Sequence, residues 1–463
     1  MLGSIDQGVY ATANGSTPVG EAAATRSRRP STPLRLRVAM LLAGVPVAVF
    51  AFAVHLGVER NDATVRTVAL DATQGITVAQ AIKLNLAELD EIVVKDLLEP
   101  QQLGPSGFPG DYDDKRTELH GNLVLAASDS SEGSAYQQPL ANIDYALAHY
   151  HSLVKEAFGA QGRADPVMAA EIYGRAHLVM DGTLLSEADF VDKANTYVLN
   201  IAYDRQKARA ASTGRVIVIS WIVLIALLVV AQLLLARKFR RLINLPLVAA
   251  SVVTVATGWY AMTSLDSSAS HLTMAREQAF DSVHVLARAG ATVVTARQSE
   301  GHLLLDPAAA ASVQAGFDAQ ANELFRVQDD RADVTALAQA GEVPEGSGGF
   351  LAKIALADGR DDSGERAVVA FGGFLAADYD MRQLVASGEV ARAASIYRNG
   401  EAFTELTDVI AQAQTADQAT FDGHAGKAAD ATAHVDRVTL IAAAGILVLV
   451  LLGLYQRLRE YGT

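Results

Sequence analysis

VIVISWIVLIALLVVAQLLLA, residues 216–236, is followed at once by RKFRR, residues 237–241, and then by a second apolar run, Leu242–Leu265. Neither run contains Asp, Glu, Lys or Arg. A helix rises ~1.5 Å per residue, so about 20 apolar residues cross a bilayer core. The stretch therefore reads as two membrane-spanning helices joined by a tight basic turn. Positive flanks stay in the cytoplasm, which fixes the expected direction of both helices.

Two more runs lack those charges, Val38–Val58 and Val438–Leu454. Arg26, Arg28, Arg29, Arg35 and Arg37 precede the first, and Arg457 and Arg459 follow the last. The expected order is a basic cytoplasmic tail (1–37), a span (38–58), an extracytoplasmic domain (59–215) and a second span (216–236). After the basic hairpin (237–241) come a third span (242–265), a second extracytoplasmic domain (266–437), a fourth span (438–455) and a cytoplasmic end (456–463). Both termini are then cytoplasmic in a multi-pass cell-membrane protein. A signal peptide is the alternative reading of the first run, because Ala51-Phe-Ala53 resembles a cleavage site. The run is too long for a signal core of about 7–15 residues and continues past that site, which favours an anchor. Residues 1–33, rich in Gly, Ser, Thr and Ala, read as disordered.

The net charge is −14, and the cytoplasmic segments sum to about +8, which leaves about −22 on the outer part. Such a surface repels nucleic acid; it reads first as the solubility of a large exposed domain, with cations or basic partners as the alternative. There is no cysteine, so neither disulfides nor thiolate metal sites are available.

Proline placement points to long helices. None of the twelve prolines falls in Val47–Glu99, Val167–Leu245, Leu247–Asp306 or Glu345–Thr463. Each span thus joins a proline-free stretch of the outer part, as expected of helices that continue from lipid into water. Val65, Val68, Ala72, Gly75, Ala79, Ile82, Leu86, Leu89 and Val93 alternate at three and four residues, the spacing of a helix-bundle seam. Ala279, Val283, Leu286, Gly290 and Val293 form a second, weaker seam. Asp165-Pro166 and Asp306-Pro307 read as helix starts, an N-cap followed by Pro. Arg366–Leu375 is the best strand candidate, with a helix–loop element as its alternative.

The halves resemble each other at an offset of about 210 residues: Leu70-Asp71 with Phe280-Asp281, and Asp96 with Asp306. Ile172-Tyr173 and Ile396-Tyr397 each lie some 40 residues before a span. Duplication in one orientation implies two similar bundles rather than an inverted-repeat transporter. The expected fold is all-α: four transmembrane helices continuing into two tandem extracytoplasmic four-helix bundles.

Motifs of catalysis are missing. There is no phosphate-cradling loop and no Gly-x-Ser-x-Gly elbow. His149 and His151, two apart, do not share a helix face and make a poor metal pair. Asp111, Asp113, Asp114, Asp358, Asp361 and Asp362 read as solvated loop residues. Ala249, Ala250, Ser251, Thr254 and Gly258 read as a packing face in the third span, and Trp259 and Tyr260 as interface anchors. Within the spans His55 is the lone ionisable side chain, which argues against a pump. A ligand carboxylate calls for an Arg clamp. Arg163, Arg175, Arg276, Arg288 and Arg297 are cations in the acidic outer part, and nothing in the sequence ranks them. No catalytic residue, cofactor or metal site is expected, and the protein reads as a non-enzyme.

Two span–helical-domain–span units around Arg237–Arg241 resemble the GlnX-type actinobacterial membrane proteins. The outer units are also similar to the four-helix ligand-binding domains of bacterial chemoreceptors and sensor kinases, which have large cytoplasmic output domains. The GlnX resemblance implies relay of an amino-acid signal from an extracellular solute-binding lipoprotein to a cytoplasmic Ser/Thr kinase. Arg237, Lys238, Arg240, Arg241, Arg457 and Arg459 are then candidate contacts for a cytoplasmic partner or anionic lipid. A scaffolding cell-envelope protein and a transporter subunit are the competing readings, and a homo-oligomer is compatible with each.

Overall fold

The computed structural model describes residues 44–66, 72–99, 104, 106–128, 137–239, 244–328, 333–357 and 362–459. The N-terminal tail, Arg240, Arg241, Leu70, Asp71 and residues 358–361 lie outside them. Among the described residues the chain is helical, with one isolated backbone bridge between Arg326 and Gly348.

The first half comprises α1 (Gly44–Arg66), α2 (Ala72–Leu98), α3 (Gly110–Ser128), α4 (Gln137–Gly162), α5 (Pro166–Val179) and α6 (Ser186–Phe239). The second comprises α7 (Leu245–Met274), α8 (Asp281–Leu305), α9 (Ala310–Leu324), α10 (Val334–Gln339), α11 (Phe350–Ala355), α12 (Ser363–Ala386), α13 (Val390–Asn399), α14 (Glu401–Thr432) and α15 (Val435–Arg459). The order is the same in both halves once the short α10 and α11 are set aside, and α14 with α15 takes the place of α6.

Both Asp-Pro signals start helices. Asp165 accepts from the Met168 N–H at 3.1 Å, and Asp306 accepts from the Ala308 N–H at 3.1 Å. The absence of proline downstream has the expected result. α6 is 54 residues long, roughly 80 Å at 1.5 Å per residue. α7 passes through a π turn, Ala275–Phe280, into α8, giving 61 unbroken helical residues from Leu245 to Leu305. Arg366–Leu375, the strand candidate, lies within helix α12. Gly372 there is an approach point: a Cβ on it would sit 2.4 Å from the Gln339 backbone nitrogen at the end of α10.

Among the described residues, three helical stretches are long and apolar enough to cross a membrane: Ala211–Arg237, one within Leu245–Leu305 and one within Val390–Gln456. α1 carries the described part of the first apolar run. It packs with the other three through Phe50, Val54, Ile217, Leu224, Leu247 and Ile446. Large apolar side chains face outward around this bundle, among them Ile219, Leu233, Val252, Leu440 and Ile441. An apolar belt of this extent fits a membrane protein.

Lipid tails are as apolar as Leu, so packing and interhelical hydrogen bonds hold such a bundle. The expected small-residue face of α7 supplies both. Ala250, Thr254 and Gly258 are buried, and Trp221 Nε1 donates to the Thr254 carbonyl at 2.9 Å. Gln232 donates to Ser251 Oγ at 2.9 Å, and Asn244 to the Gly453 carbonyl at 3.0 Å. Trp259 and Tyr260 are exposed on the same helix.

Beyond the bundle, helices of both halves share one core. It joins Leu86, Leu89 and Val93 of α2 to Val294 and Leu304 of α8 and to Tyr397 of α13. A second core, built on Leu286, Val293, Phe371 and Leu406, lies within the second half. The 3–4 spacing of the first sequence seam is what buries Ala79, Ile82, Leu86, Leu89 and Val93.

Candidate functional site

α2 and α8 pack side by side and parallel, forming the seam between the halves. Gln298 Nε2 donates to the Ala87 carbonyl at 2.6 Å, and Gly301 faces Val94. A Cβ on Gly301 would meet Val94 Cγ1 at 2.2 Å, so the close approach depends on that glycine. These pairs stand 211 and 207 residues apart, close to the offset that relates the halves in sequence.

Polar groups are concentrated along this seam. Asp90 of α2 is fully buried. Tyr150 donates to its Oδ1 at 2.7 Å and Tyr173 to its Oδ2 at 2.9 Å, while His177 Nδ1 lies 3.4 Å from Oδ2. The His302 ring of α8 is 4.8 Å from the His177 ring, which carries the cluster across to the second half. Burial opposes charge on His177, but the hydrogen bond and charge of Asp90 outweigh it and raise its pKa. His302 shifts down, through burial and then through the charge of His177.

The second half has its own cluster one turn further along. Arg297 donates to Glu300 Oε2 at 2.7 Å and to the Tyr397 carbonyl, and its guanidinium lies 3.9 Å from the Tyr397 ring centroid. Asp378 pairs with Arg382, which also approaches Asp318 at 3.5 Å. Burial pushes the Glu300 carboxyl up to about 7, against the pull of Arg297. Burial and then the Glu300 charge push Asp378 up to about 8. Tyr173 and Tyr397, paired in sequence, thus meet in one core at the seam.

Where the apolar bundle meets the rest of the protein, a polar layer ties four helices together. Arg60 of α1 donates to Thr213 of α6 at 2.6 Å, and Asn61 donates to Ser268 of α7 at 2.9 Å. Thr432 of α14 donates to Asp62 at 3.3 Å. α1 is thus bonded to α6, α7 and α14 within one layer.

Between α2, α8 and α14, on the bundle side of the polar clusters, lies a cavity of ≈ 530 Å³. Ile76, Leu84, Phe280, Val283, Phe403 and Ile410 form its apolar wall. Gln80, Glu88, Glu91, Lys115, His284 and Asp408 supply polar groups.

The residues singled out from sequence are dispersed. Arg237 is exposed at the end of α6, and Lys238, Arg457 and Arg459 continue helices α6 and α15. Arg163 and Arg175 are exposed. Arg276 stacks on Tyr203, with 3.8 Å to the ring centroid, and Arg288 pairs with Glu323 at 3.4 Å. Arg297 alone among these five is buried, and Glu300 already occupies it. His151 packs against Phe108 and Tyr112, and His149 is exposed. Asp90 and Glu300 were missed, although a signal existed. The second seam continues 286, 290, 293, 297, 300, 304, so Arg297 and Glu300 hold seam positions, and the 210-residue offset pairs Glu300 with Asp90.

Residues 64–204, the segment that contributes α2 to α5 and the first part of α6, match the family model of the actinobacterial sensor domain. No curated protein and no solved structure matches the chain. The match supports an actinobacterial sensor protein, and with it a sensing or signalling role. The second half, outside the match, repeats the helix order of the first.

Proposed function

We propose that this protein is a non-enzymatic transmembrane signal transducer. Its lobe, outside the apolar bundle, faces the extracytoplasmic side, and its basic ends face the cytoplasm. It relays a nutrient signal, amino-acid in kind, that arrives through a solute-binding lipoprotein and leaves through a cytoplasmic Ser/Thr kinase.

The observation that carries this reading is the unbroken helix from Leu245 to Leu305. One end of it lies in the apolar bundle and the other in the buried polar seam. A partner that prefers one packing of α2 on α8 shifts a two-state population. Small helix slides of about 1–2 Å are a known output of such shifts. The polar layer at Asn61, Ser268 and Thr432 passes the slide to α1, α7 and α14 together. Arg237, Lys238, Arg240, Arg241, Arg457 and Arg459 then report it to the kinase, and they meet anionic lipid in addition.

Pull-down of the full chain from native membranes tests the reading. Co-purification of a solute-binding lipoprotein and a Ser/Thr kinase supports it. Envelope-assembly proteins in their place favour the scaffold. Exchanging Arg237, Arg240 and Arg241 for Lys, and Lys238 for Arg, preserves charge and topology, and is expected to weaken the kinase while leaving the lipoprotein.

A further inference from the structure

α5, the π turn Met180–Leu185 and α6 form one unbroken helix from Pro166 to Phe239. Outside the apolar bundle, one face of this helix is apolar and open to water. Val167, Leu178, Phe190 and Tyr197 are 78%, 72%, 50% and 67% exposed. Apolar side chains scattered singly over a surface need no explanation, but a stripe of them marks a contact surface.

The spacing puts these residues on one line. Val167 and Leu178 stand eleven residues apart, and Phe190 and Tyr197 seven apart, close to three turns and two turns at about 3.6 residues per turn. Leu178 and Phe190 are twelve apart, one residue more than three turns, and the π turn between them takes up the extra residue. The same face continues into the apolar bundle through Ile219, Ile222 and Leu233, which are also exposed. Gly174 and Gly182 lie between the large residues, and a Cβ on either would meet nothing within 4 Å. Glu171 and Lys193 interrupt the face, and Asp189 pairs with Lys193 at 2.7 Å.

The second half supplies an internal comparison. α14 holds the corresponding place there, and it exposes no large apolar side chain among the described residues. Its outward positions are taken by residues such as Glu405, Gln412, Asp422 and Lys427. The helix order shared by the halves therefore does not require an apolar stripe, and the α5–α6 helix carries one for a reason of its own. A soluble partner reaches only the part of the stripe in water, and lipid only the part in the bundle. The element that matches both parts, level for level, is the same helix of a second copy. Copies in one membrane share their direction, so a two-fold axis along the membrane normal lays this helix parallel against itself, the isologous contact of a closed dimer. The seven large side chains named expose on the order of 800 Å² in each copy, comparable with what each partner buries in a standard stable interface.

We propose that this chain forms a parallel homodimer through the α5–α6 helix. Leu178, Phe190 and Tyr197 pack against their copies across the two-fold axis, and Gly174 and Gly182 give the room for close approach. Burial of the stripe in water drives association, and packing of Ile219, Ile222 and Leu233 extends it into the bundle. The dimer does not rest on the transducer reading, and a failed pull-down of a lipoprotein and kinase leaves it standing.

Single cysteines test it, because the full chain has none of its own. A disulfide forms only where two Cα atoms come within about 7 Å, so Leu178→Cys and Tyr197→Cys, oxidised in native membranes with copper phenanthroline, report contact between copies. Each should give at least about 5-fold more cross-linked dimer on a non-reducing gel than Ala419→Cys, a control exposed on α14. The mass of the purified chain in mild detergent, read by light scattering, is the second measurement. Two copies are expected, and one copy for the variant carrying Leu178→Lys and Tyr197→Lys. Both side chains are exposed in the single chain, so that variant should keep its helix content by circular dichroism, and the cysteine result stands whether or not it folds. A monomeric native chain, a dimer that survives both Lys substitutions in a folded variant, or equal cross-linking through Ala419→Cys overturns the proposal. So does cross-linking of Leu178→Cys and Tyr197→Cys to a different protein, which gives the stripe to another partner.

Discussion

Replacing Asp90 with Ala is the sharpest perturbation of the seam. Asp90 is fully buried and accepts from Tyr150 at 2.7 Å and Tyr173 at 2.9 Å. Truncation strands two buried hydroxyls in a core with no water-exposed alternative. Each stranded group costs about 1–3 kcal/mol, so the expected loss is on the order of 4 kcal/mol. A domain has about 5–15 kcal/mol in total, so this is a large fraction. At about 2–4 °C per kcal/mol, Tm should fall by roughly 8–16 °C. The assay is far-UV circular dichroism of the full chain during heating. Tryptophan fluorescence is unsuitable, because both tryptophans, Trp221 and Trp259, belong to the apolar bundle. Tyr173→Phe alone should cost about 1.5–3 kcal/mol, the worth of a hydrogen bond to a charged acceptor. The double variant should cost clearly less than the sum, since both changes remove one interaction. A Tm change under about 2 °C for Asp90→Ala, or full additivity, refutes the account of the seam.

Other outcomes follow from the same geometry. Glu300 and Asp378 have folded-state pKa values of about 7 and about 8, above their ordinary values, so the folded state holds protons that the unfolded state releases. Stability should therefore be highest below about pH 4 and fall as pH rises through about 8, by a few kcal/mol in this contribution. Glu300→Gln with Asp378→Asn should flatten that slope in denaturation measured across pH. Gly301→Val drives a branched side chain into Val94 and Tyr397, and overpacking of this kind costs about 1–3 kcal/mol, read as a lower Tm. Asn244→Ala removes the bond to the Gly453 carbonyl and should weaken the apolar bundle by about 1 kcal/mol in detergent unfolding.

Apolar spacing made much of this fold legible. The runs without charge mark the bundle helices because lipid-facing helices tolerate few charges, and proline placement marks their continuity because proline breaks helix interiors. The seam from Ala79 to Val93 was readable because burial of one helix face follows a 3–4 period. What the spacing did not give is the partner of each face. The same stripe on α2 serves a four-helix unit closed on itself or a seam against α8, and only long-range packing distinguishes them. The polar clusters were hidden for a related reason. Asp90 and Arg297 look like surface residues in a chain of net charge −14, and their burial depends on partners such as Tyr150 and Tyr397 that lie 60 and 100 residues away. The cavity was invisible too, since it is made where three helices from distant parts of the chain fail to close.

Repacking the seam should move the basic-flanked ends of the bundle. The chain has no cysteine, so a single introduced pair reports without background. A Cβ on Gly453 would lie 3.0 Å from Leu247 Cγ, which makes Leu247→Cys with Gly453→Cys a suitable disulfide pair. Its oxidation rate in membranes should be measured with and without the Gly301→Val wedge. A helix slide of about 1–2 Å predicts a rate change of at least about twofold. Identical rates, in a wedge variant whose Tm shows that the seam has been disturbed, contradict the claim.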